Sequence, residues 1–457
     1  MMKSNNYPTS LFSSNLVFAK ENEFGGDLSI AGCSAQKLVK EFGSPTFVID
    51  QDDFYLRTKA WQAALDSEFE DCQLYYAAKS FISIEVAKWL KELNVGIDVC
   101  SAGELQVALA AKFPPAAIEF HGNNKSEDEI KLAITLGVGT IVIDSFDEIT
   151  RVSSIAQGLG KVQKIYLRLT PGVDAHTHEF ISTAHEDVKF GFSIASGSAS
   201  EAIERCMSEK SLNLAGIHSH IGSQIFKIDG FSLAAKRLIE VLVTFKAKYG
   251  RELAELNIGG GFGIAYTKSE TAIAPDYVIP AIATVIKTEC KKAGISIPKI
   301  SIEPGRAIVG PTTTTIYTVG TSKNVVLDDG SIRRYISVDG GMSENIRPAL
   351  YGAKYSVFLA DRVSSAKLVK SRLVGKHCET GDILILDIDL PEDVKAGDLL
   401  AMPATGAYGR SMASNYNHMP RPAVVSVQKG SAKLIVRREN EQDLLNLDVD
   451  QAPRQLS

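Results

Sequence analysis

Leu74-Tyr75-Tyr76-Ala77-Ala78-Lys79-Ser80 is a short apolar run that ends in a lysine. Its length and aromatic content suit a buried strand. Lysine is strongly hydrated and is rarely placed at the end of such a run. At a strand edge it can snorkel to solvent. At the carboxyl end of a strand in an α/β barrel it faces the active site instead. Desolvation there can remove its proton near neutral pH and make it a nucleophile toward a carbonyl. The runs that follow bear on which reading holds.

Seven more short β-rich runs occur at Gly96–Val99, Ala117–Phe120, Thr140–Ile143, Ile165–Leu169, Ala215–His218, Leu256–Ile258 and Ile300–Ile302. The first four of the eight start about 20–25 residues apart, room for one strand, one helix and two loops. Helical patterns lie between them, as at Ser83–Leu93 and Gly103–Lys112. Ser101 and Glu104 have capping-box spacing, and Ser126-Glu127-Asp128-Glu129 repeats that helix-start chemistry. Eight alternating β and α units predict a (β/α)8 TIM-like barrel of α/β class over residues 51–310.

Beyond Pro311 the pattern changes. Thr312–Val319, Arg334–Val338, Ile383–Leu386 and Ala423–Val427 read as strands without intervening helices, and Asp328-Asp329-Gly330 signals a hairpin turn. The first 50 residues look extended and end in Thr46-Phe47-Val48-Ile49-Asp50. Residues 1–50 and 311–457 are therefore expected to form one discontinuous β-rich domain. The tail after about Arg438 is charged and is expected to be loosely held.

Composition narrows the function classes. The 457 residues are 45% hydrophobic and 23% charged, as in a soluble globular protein of two domains. A net charge of −5 gives no basic footprint for nucleic acid. No apolar stretch approaches the roughly 20 residues that cross a bilayer. Met1–Ser14 has no signal-peptide core, so the expected location is the cytoplasm. Six scattered cysteines form no CxxC pair, which argues against a disulfide framework or a structural zinc site.

Four loops carry candidate chemistry. Gly259-Gly260-Gly261, in Asn257–Gly263, follows a strand and reads either as a tight turn or as a phosphate cradle. A late position in the barrel favours phosphate, and the spacing is not the dinucleotide fingerprint. His218-Ser219-His220-Ile221-Gly222-Ser223 follows the sixth run. Its two histidines can ligate a metal, stack on a flat cofactor or sit satisfied in the core, and Ser223 can donate to a phosphate. His176 and His178 form a second pair in a polar loop and read as surface or gate residues. Glu303-Pro304-Gly305-Arg306 ends the eighth run. It reads as a salt bridge, or as a carboxylate for a ring nitrogen beside an arginine for an anion. In His377-Cys378-Glu379-Thr380-Gly381-Asp382 the cysteine is expected to be partly exposed and able to act as an acid.

The lysine, histidine, triple glycine and Glu-Pro-Gly-Arg turn, in this order, resemble the fold-type III pyridoxal-phosphate decarboxylases. Cys378-Glu379-Thr380-Gly381-Asp382 narrows the resemblance to the diaminopimelate decarboxylases, with threonine where many relatives have serine. His121–Lys125, Lys189-Phe190-Gly191, Arg347–Gly352 and Gly406-Ala407-Tyr408 match as well, so the resemblance runs from about Gly43 to Val427.

It implies decarboxylation of meso-2,6-diaminopimelate to L-lysine and CO2, the last step of lysine synthesis, with pyridoxal 5'-phosphate held by Lys79. It further implies that His220 stacks on the cofactor ring and Glu303 pairs with the ring nitrogen. Ser223, Gly259, Gly260, Gly261 and Tyr408 would bind the phosphate, with Gly305 and Arg306 beside it. Arg306, Arg347 and Tyr351 would grip the substrate's distal carboxylate and Glu379 its distal ammonium, Tyr408 would also bind substrate, and Cys378 would protonate the product. Cys378 and Glu379 would serve the neighbouring subunit of a homodimer. No metal is implied. The alternatives are a decarboxylase of another diamino acid, such as ornithine or arginine, and a non-catalytic pyridoxal-phosphate-binding homologue, which would usually lose the lysine or the acid. A metal-dependent barrel hydrolase on His218 and His220, with His121 as the obvious further ligand, is the third.

Overall fold

The structure is a computed structural model, and it describes residues 7–22, 25–173 and 189–449. His176 and His178 lie outside the described residues. The chain divides into two compact units. The first comprises Tyr55–Ile264 and Ala272–Ile308 with the N-terminal residues up to Thr9. The second comprises Ser10–Phe54, Ala265–Thr271 and the chain from Val309.

The first unit is a closed parallel barrel. Its strands are β1 (Cys72–Ala77), β2 (Gly96–Val99), β3 (Ile118–Phe120), β4 (Thr140–Ile143), β5 (Gln163–Thr170), β6 (Leu212–His218), β7 (Glu255–Asn257) and β8 (Lys299–Ile302). Each pairs with the next, and β8 pairs with β1 through Ile300–Cys72 and Ile302–Leu74. The expected runs and these strands agree to within a few residues because buried apolar side chains anchor every one of them.

Helices follow the strands, including Ile84–Glu92, Ala102–Ala110, Glu127–Leu136 and Phe146–Gly158. Ser126 and Glu129 form the full capping box. Ser101 caps its helix, but the Glu104 carboxylate reaches one residue further back and accepts the Cys100 N–H at 2.7 Å.

The loops at the carboxyl ends are pinned by buried polar groups. Lys125 donates to the carbonyls of Gly122 (2.8 Å) and Val142 (2.7 Å) and to the Glu148 carboxylate (2.9 Å). It thereby fixes the turn that follows His121.

The second unit is a mixed sheet around Thr313–Val326. That strand pairs antiparallel with Ile332–Val338, with Leu399–Met402 and with the N-terminal strand Thr46–Asp50. Thr46–Asp50 also runs parallel to Ala423–Gln428, so the N-terminal segment does join the C-terminal sheet. Leu28, Val48, Ile316, Ala401 and Val425 share its core. The hairpin turn at Asp328-Asp329-Gly330 is present, with Gly330 at φ 78°.

Two details differ from the sequence reading. Ala35–Phe42 is a helix, because Ser34 caps it and Ala35 and Leu38 turn into the core. Beyond Arg438, Asn440 caps a short helix, Glu441–Leu445. No helix among the described residues is long and apolar enough to cross a membrane.

Lys125 and Glu148 are each 1% exposed, so removing one strands the other's charge in the interior. Lys125→Ala is expected to lower folding stability by about 3–5 kcal/mol. Chemical denaturation measures this, and a loss below about 1 kcal/mol would contradict it.

Candidate active site

Lys79 sits one turn past the end of β1, in the 3-10 turn Ala78–Ser80. The Ser80 hydroxyl donates to the Ala77 carbonyl (2.7 Å), and the Tyr76 hydroxyl donates to the Phe81 carbonyl (2.7 Å), which locks the turn. Gly305 packs against it. A Cβ at Gly305 would stand 2.8 Å from the Ala77 side chain and 2.9 Å from the Ser80 hydroxyl. The residue after Glu303-Pro304 is thus glycine because the β1 and β8 ends meet there.

A buried carboxylate organises the barrel interior. Glu303, just past β8, lies 3.2 Å from His218 Nε2 and 3.3 Å from His121 Nε2, and it accepts the Asn257 amide at 2.8 Å. The same Asn257 Nδ2 donates to Glu119 at 2.8 Å. Burial pushes Glu303 up, but His218 and His121, and then the Lys79 ammonium, outweigh it and hold the carboxyl well below its usual range. Burial takes His121 well below the ordinary histidine value and lowers His218 too. The direction that follows is an ionised Glu303 that shares protons with the two imidazoles beside it and feels the charge of Lys79.

His121, His218 and Glu303 have the donor types of a metal site, with ligand atoms within 4.8 Å of one another. His220 is not one of the three. It lies beyond the end of β6, and its Nδ1 accepts the Gly260 N–H at 3.3 Å, which sets the ring's orientation. Burial, followed by the charges of Lys79 and Arg168, takes His220 well below its usual value, so the ring is neutral.

The triple glycine is required by backbone approach on both sides. Cβ atoms at Gly259, Gly260 and Gly261 would stand 2.3, 2.2 and 2.3 Å from the carbonyl oxygens of Ser219, Glu303 and Gly222. Gly259 and Gly261 also have φ of 72° and 102°. Gln224 clamps this loop from the β6 side, with its amide bonded to both the N–H and the carbonyl of Ile264. Next to Gln224, Ser223 accepts from the Arg306 guanidinium at 2.7 Å. Arg306 opens the helix Arg306–Thr312 rather than sitting in a turn.

The remaining candidates lie in the second unit. Cys378 and Glu379 are exposed, on a loop fixed from below: Asp382 accepts the N–H groups of His377 (2.8 Å) and Met342 (2.7 Å). Arg347 is 6% exposed; it donates to the Tyr355 hydroxyl and stacks on Tyr266 at 4.5 Å. Tyr351, on the same short helix, is 66% exposed, so the two do not share one environment. Tyr408 has φ 60°, an uncommon value for a non-glycine residue. Sequence reasoning missed Asn257, Glu119 and Asp98, which line the barrel inside apolar strands.

Comparison with known proteins fits this geometry. The family described as pyridoxal-dependent decarboxylase, pyridoxal binding domain, matches residues 51–310. The diaminopimelate decarboxylase of Mycobacterium tuberculosis is 50% identical over 428 residues, covering 93% of this chain and 95% of that one. The chain belongs to the diaminopimelate decarboxylase family. The family's Bacillus subtilis member is 44% identical over 431 residues, covering 94% of this chain and 97% of its own. Among solved structures, diaminopimelate decarboxylase from M. jannaschii in complex with L-lysine superposes with a TM-score of 0.88 at 29% identity, covering 96% of this chain and 98% of that one.

The cofactor of the family is pyridoxal 5'-phosphate. The barrel's residues fit it: a lysine amine, a buried ionised carboxylate, a neutral imidazole of fixed orientation, a glycine loop that a phosphate can approach closely and a serine–arginine pair. Gly260→Ala would force the loop off the Glu303 carbonyl. It is expected to weaken cofactor affinity about tenfold, in line with an overpacking cost of about 1–3 kcal/mol. Absorbance titration of the apoenzyme with pyridoxal phosphate checks this, and unchanged affinity would contradict it.

Proposed function

We propose that Lys79 carries the cofactor, that the β1, β6, β7 and β8 loops position it, and that Cys378 supplies the proton that completes turnover. The chain is a pyridoxal-phosphate-dependent decarboxylase that converts meso-2,6-diaminopimelate to L-lysine and CO2. The observation that carries the site assignment is Glu303, ionised and buried at the end of β8 within the field of Lys79.

Bound pyridoxal phosphate supplies a conjugated ring that accepts the electron pair left when CO2 departs. The chain's own residues make that possible. Glu303 keeps a proton on the ring nitrogen, because a carboxylate within hydrogen-bond reach favours the charged form. The His220 ring, held by Gly260, offers a neutral flat face for stacking. Gly259, Gly260 and Gly261, the Ser223 hydroxyl and Tyr408 bind the phosphate, with Gly305 and Arg306 beside it; the Gly259 and Gly260 N–H groups are given to Asn257 and His220, so the glycines serve by letting the loop come close.

Selectivity comes from the substrate's far end. Arg347, Arg306 and Tyr351 hold its distal carboxylate and Glu379 its distal ammonium, and Tyr408 also contacts the substrate. Arg347 suits this task. Burial alone would lower it, yet Tyr266 and Tyr355 keep it above its usual value and firmly charged. Fixing the distal group would hold the departing carboxylate in one orientation toward the bound cofactor. Lysine lacks that carboxylate and leaves Arg347 imperfectly matched, which disfavours it as substrate and assists its release as product.

Cys378 donates through its thiol, and its exposure on a loop of the second unit supports service to a neighbouring subunit. We therefore infer a homodimer with shared sites, acting in the cytoplasm, with residues 51–310 as cofactor domain and residues 1–50 and 311–457 as its β-rich partner domain.

Three measurements test this reading. In a CO2-release assay, meso-diaminopimelate should be turned over and lysine, ornithine and arginine should not; equal turnover of ornithine would contradict the specificity. Lys79→Ala should lose the bound-cofactor absorbance band and the borohydride-fixed adduct at residue 79; a surviving adduct elsewhere would overturn the lysine assignment. Cys378→Ala should lower kcat by about 100-fold or more while cofactor affinity stays, in keeping with loss of a general acid. An unchanged kcat would remove the acid role.

A further inference from the structure

Behind the Cys378 loop lies a buried carboxylic acid that the mechanism above does not use. Glu344 is 2% exposed. Its Oε1 accepts the Gly341 N–H at 2.5 Å, and its Oε2 lies 3.2 Å from the Ser343 hydroxyl. That hydroxyl is 2.8 Å from His377 Nε2. On the other side of the ring, His377 Nδ1 is 3.3 Å from Asn417 Oδ1. The same Asn417 oxygen accepts the backbone N–H of Cys378 at 3.2 Å. A continuous chain thus runs from Glu344 through Ser343, His377 and Asn417 to the main chain of the thiol.

Counting hydrogens fixes how many protons the chain holds. Asn417 presents an oxygen, because a backbone N–H donates to it, so His377 Nδ1 must be the donor of the second bond. A neutral His377 then offers Nε2 as an acceptor. Ser343 has one hydrogen to give. With a proton on Glu344 Oε2, the acid donates to Ser343, and Ser343 donates to His377. With that proton moved to His377 Nε2, the imidazole donates to Ser343, and Ser343 donates to the Glu344 carboxylate. Both arrangements satisfy every bond along the chain from Glu344 through Ser343 and His377 to Asn417. With the proton gone, a carboxylate and an imidazole compete for a single serine hydrogen, and one bond is lost.

We propose that Glu344, Ser343 and His377 form a one-proton relay whose filled state positions the loop bearing Cys378 and Glu379 for catalysis. These are positioning residues, acting through the thiol's main chain. The inference rests on the reading of Cys378 as proton donor.

The surroundings support a relay that fills and empties near neutrality. Burial raises Glu344 to about 7, against hydrogen bonds from Gly341 and Ser343. The Tyr317 hydroxyl faces the same carboxyl, and burial with Glu344's charge pushes it well up, so it stays protonated. A cavity of about 150 Å³ bordered by Glu344, His377, Asp339, Lys376 and Arg438 gives the proton a route to solvent. Arg438 interacts with Glu344 and favours the ionised carboxylate, while Lys376 and Asp339 border the same cavity. On the imidazole side, Asp382 accepts the backbone N–H of His377 at 2.8 Å, and Glu379 lies two residues along the loop. Because the folded state holds the Glu344 proton more tightly than the unfolded chain does, this contribution to order is complete below the ordinary glutamate value. It is lost as pH rises through about 7.

The test uses the holoenzyme and two readouts, kcat/KM for meso-diaminopimelate and amide hydrogen exchange over residues 376–383 corrected for intrinsic pH dependence. In the wild type, kcat/KM should fall about fivefold as pH rises through the Glu344 transition, chiefly in kcat, the effect of one lost hydrogen bond. Protection of the loop should fall with the same midpoint. Glu344→Gln keeps a donor toward Ser343 at every pH, so both falls should disappear while the acid-side activity remains. If Glu344→Gln retains both wild-type midpoints, the relay is wrong.

Should that variant not fold, Ser343→Ala replaces it. It should show a pH-independent plateau about fivefold below the wild-type maximum, and a profile matching the wild type would overturn the relay. A loop-exchange transition abolished by Glu344→Gln supports the relay even were Cys378→Ala to keep full turnover, so the two readings fail separately.

Discussion

An ionised carboxylate buried where the barrel's strands converge is the constraint on which the rest of the structure depends. A lone carboxylate in that environment would take up a proton, because burial penalises its charge. Glu303 escapes this through groups delivered by several other strands: Asn257 from β7, His218 from β6, His121 after β3 and the Lys79 ammonium after β1. Two further carboxyls complete the set. Burial and the charge of Glu303 push Asp98 up to about 8 and Glu119 well above its usual range. Three acidic groups therefore share one negative charge, and their environments assign it to Glu303. Closure of the barrel brings these strands together, so the charge distribution belongs to the closed fold and to no single segment.

The barrel unit and the β-rich unit, each taken by itself, hold different kinds of candidate residue. The barrel supplies groups that are fixed and largely desolvated, with glycines wherever two backbones touch. The second unit supplies the exposed Cys378 and Glu379 on a loop that Asp382 and Asn417 hold by its main chain. Reactive groups on loops backed by a rigid scaffold are the common arrangement in enzymes, since the scaffold sets distance while the loop admits substrate and solvent.

What could be read from the sequence follows from how local each signal is. The barrel strands are short apolar runs, and the helix starts at Ser83, Ser101 and Ser126 are governed by residues three positions away, so both were visible. The strand-end lysine, the triple glycine and the Glu-Pro-Gly-Arg segment stood out because such residues are costly in those places unless something requires them. Asn257, Glu119 and Asp98 were not visible. Each interrupts an apolar run by one polar residue, and the Asn257 amide reaches Glu119 and Glu303, 138 and 46 positions away. His218 remained ambiguous for the same reason: the sequence placed it beside His220, while the fold pairs it with Glu303. The helix Ala35–Phe42 was missed because its apolar stripe is short and its serine cap was read as part of an extended segment.

The account turns on Glu303 holding a proton on the cofactor's ring nitrogen. The most direct measurement is the 15N resonance of holoenzyme reconstituted with pyridoxal phosphate labelled at that nitrogen. The account predicts a protonated, pyridinium-like shift in the wild type that moves toward the unprotonated position in Glu303→Gln. An unprotonated nitrogen in the wild type, or one that Glu303→Gln leaves unmoved, would contradict it.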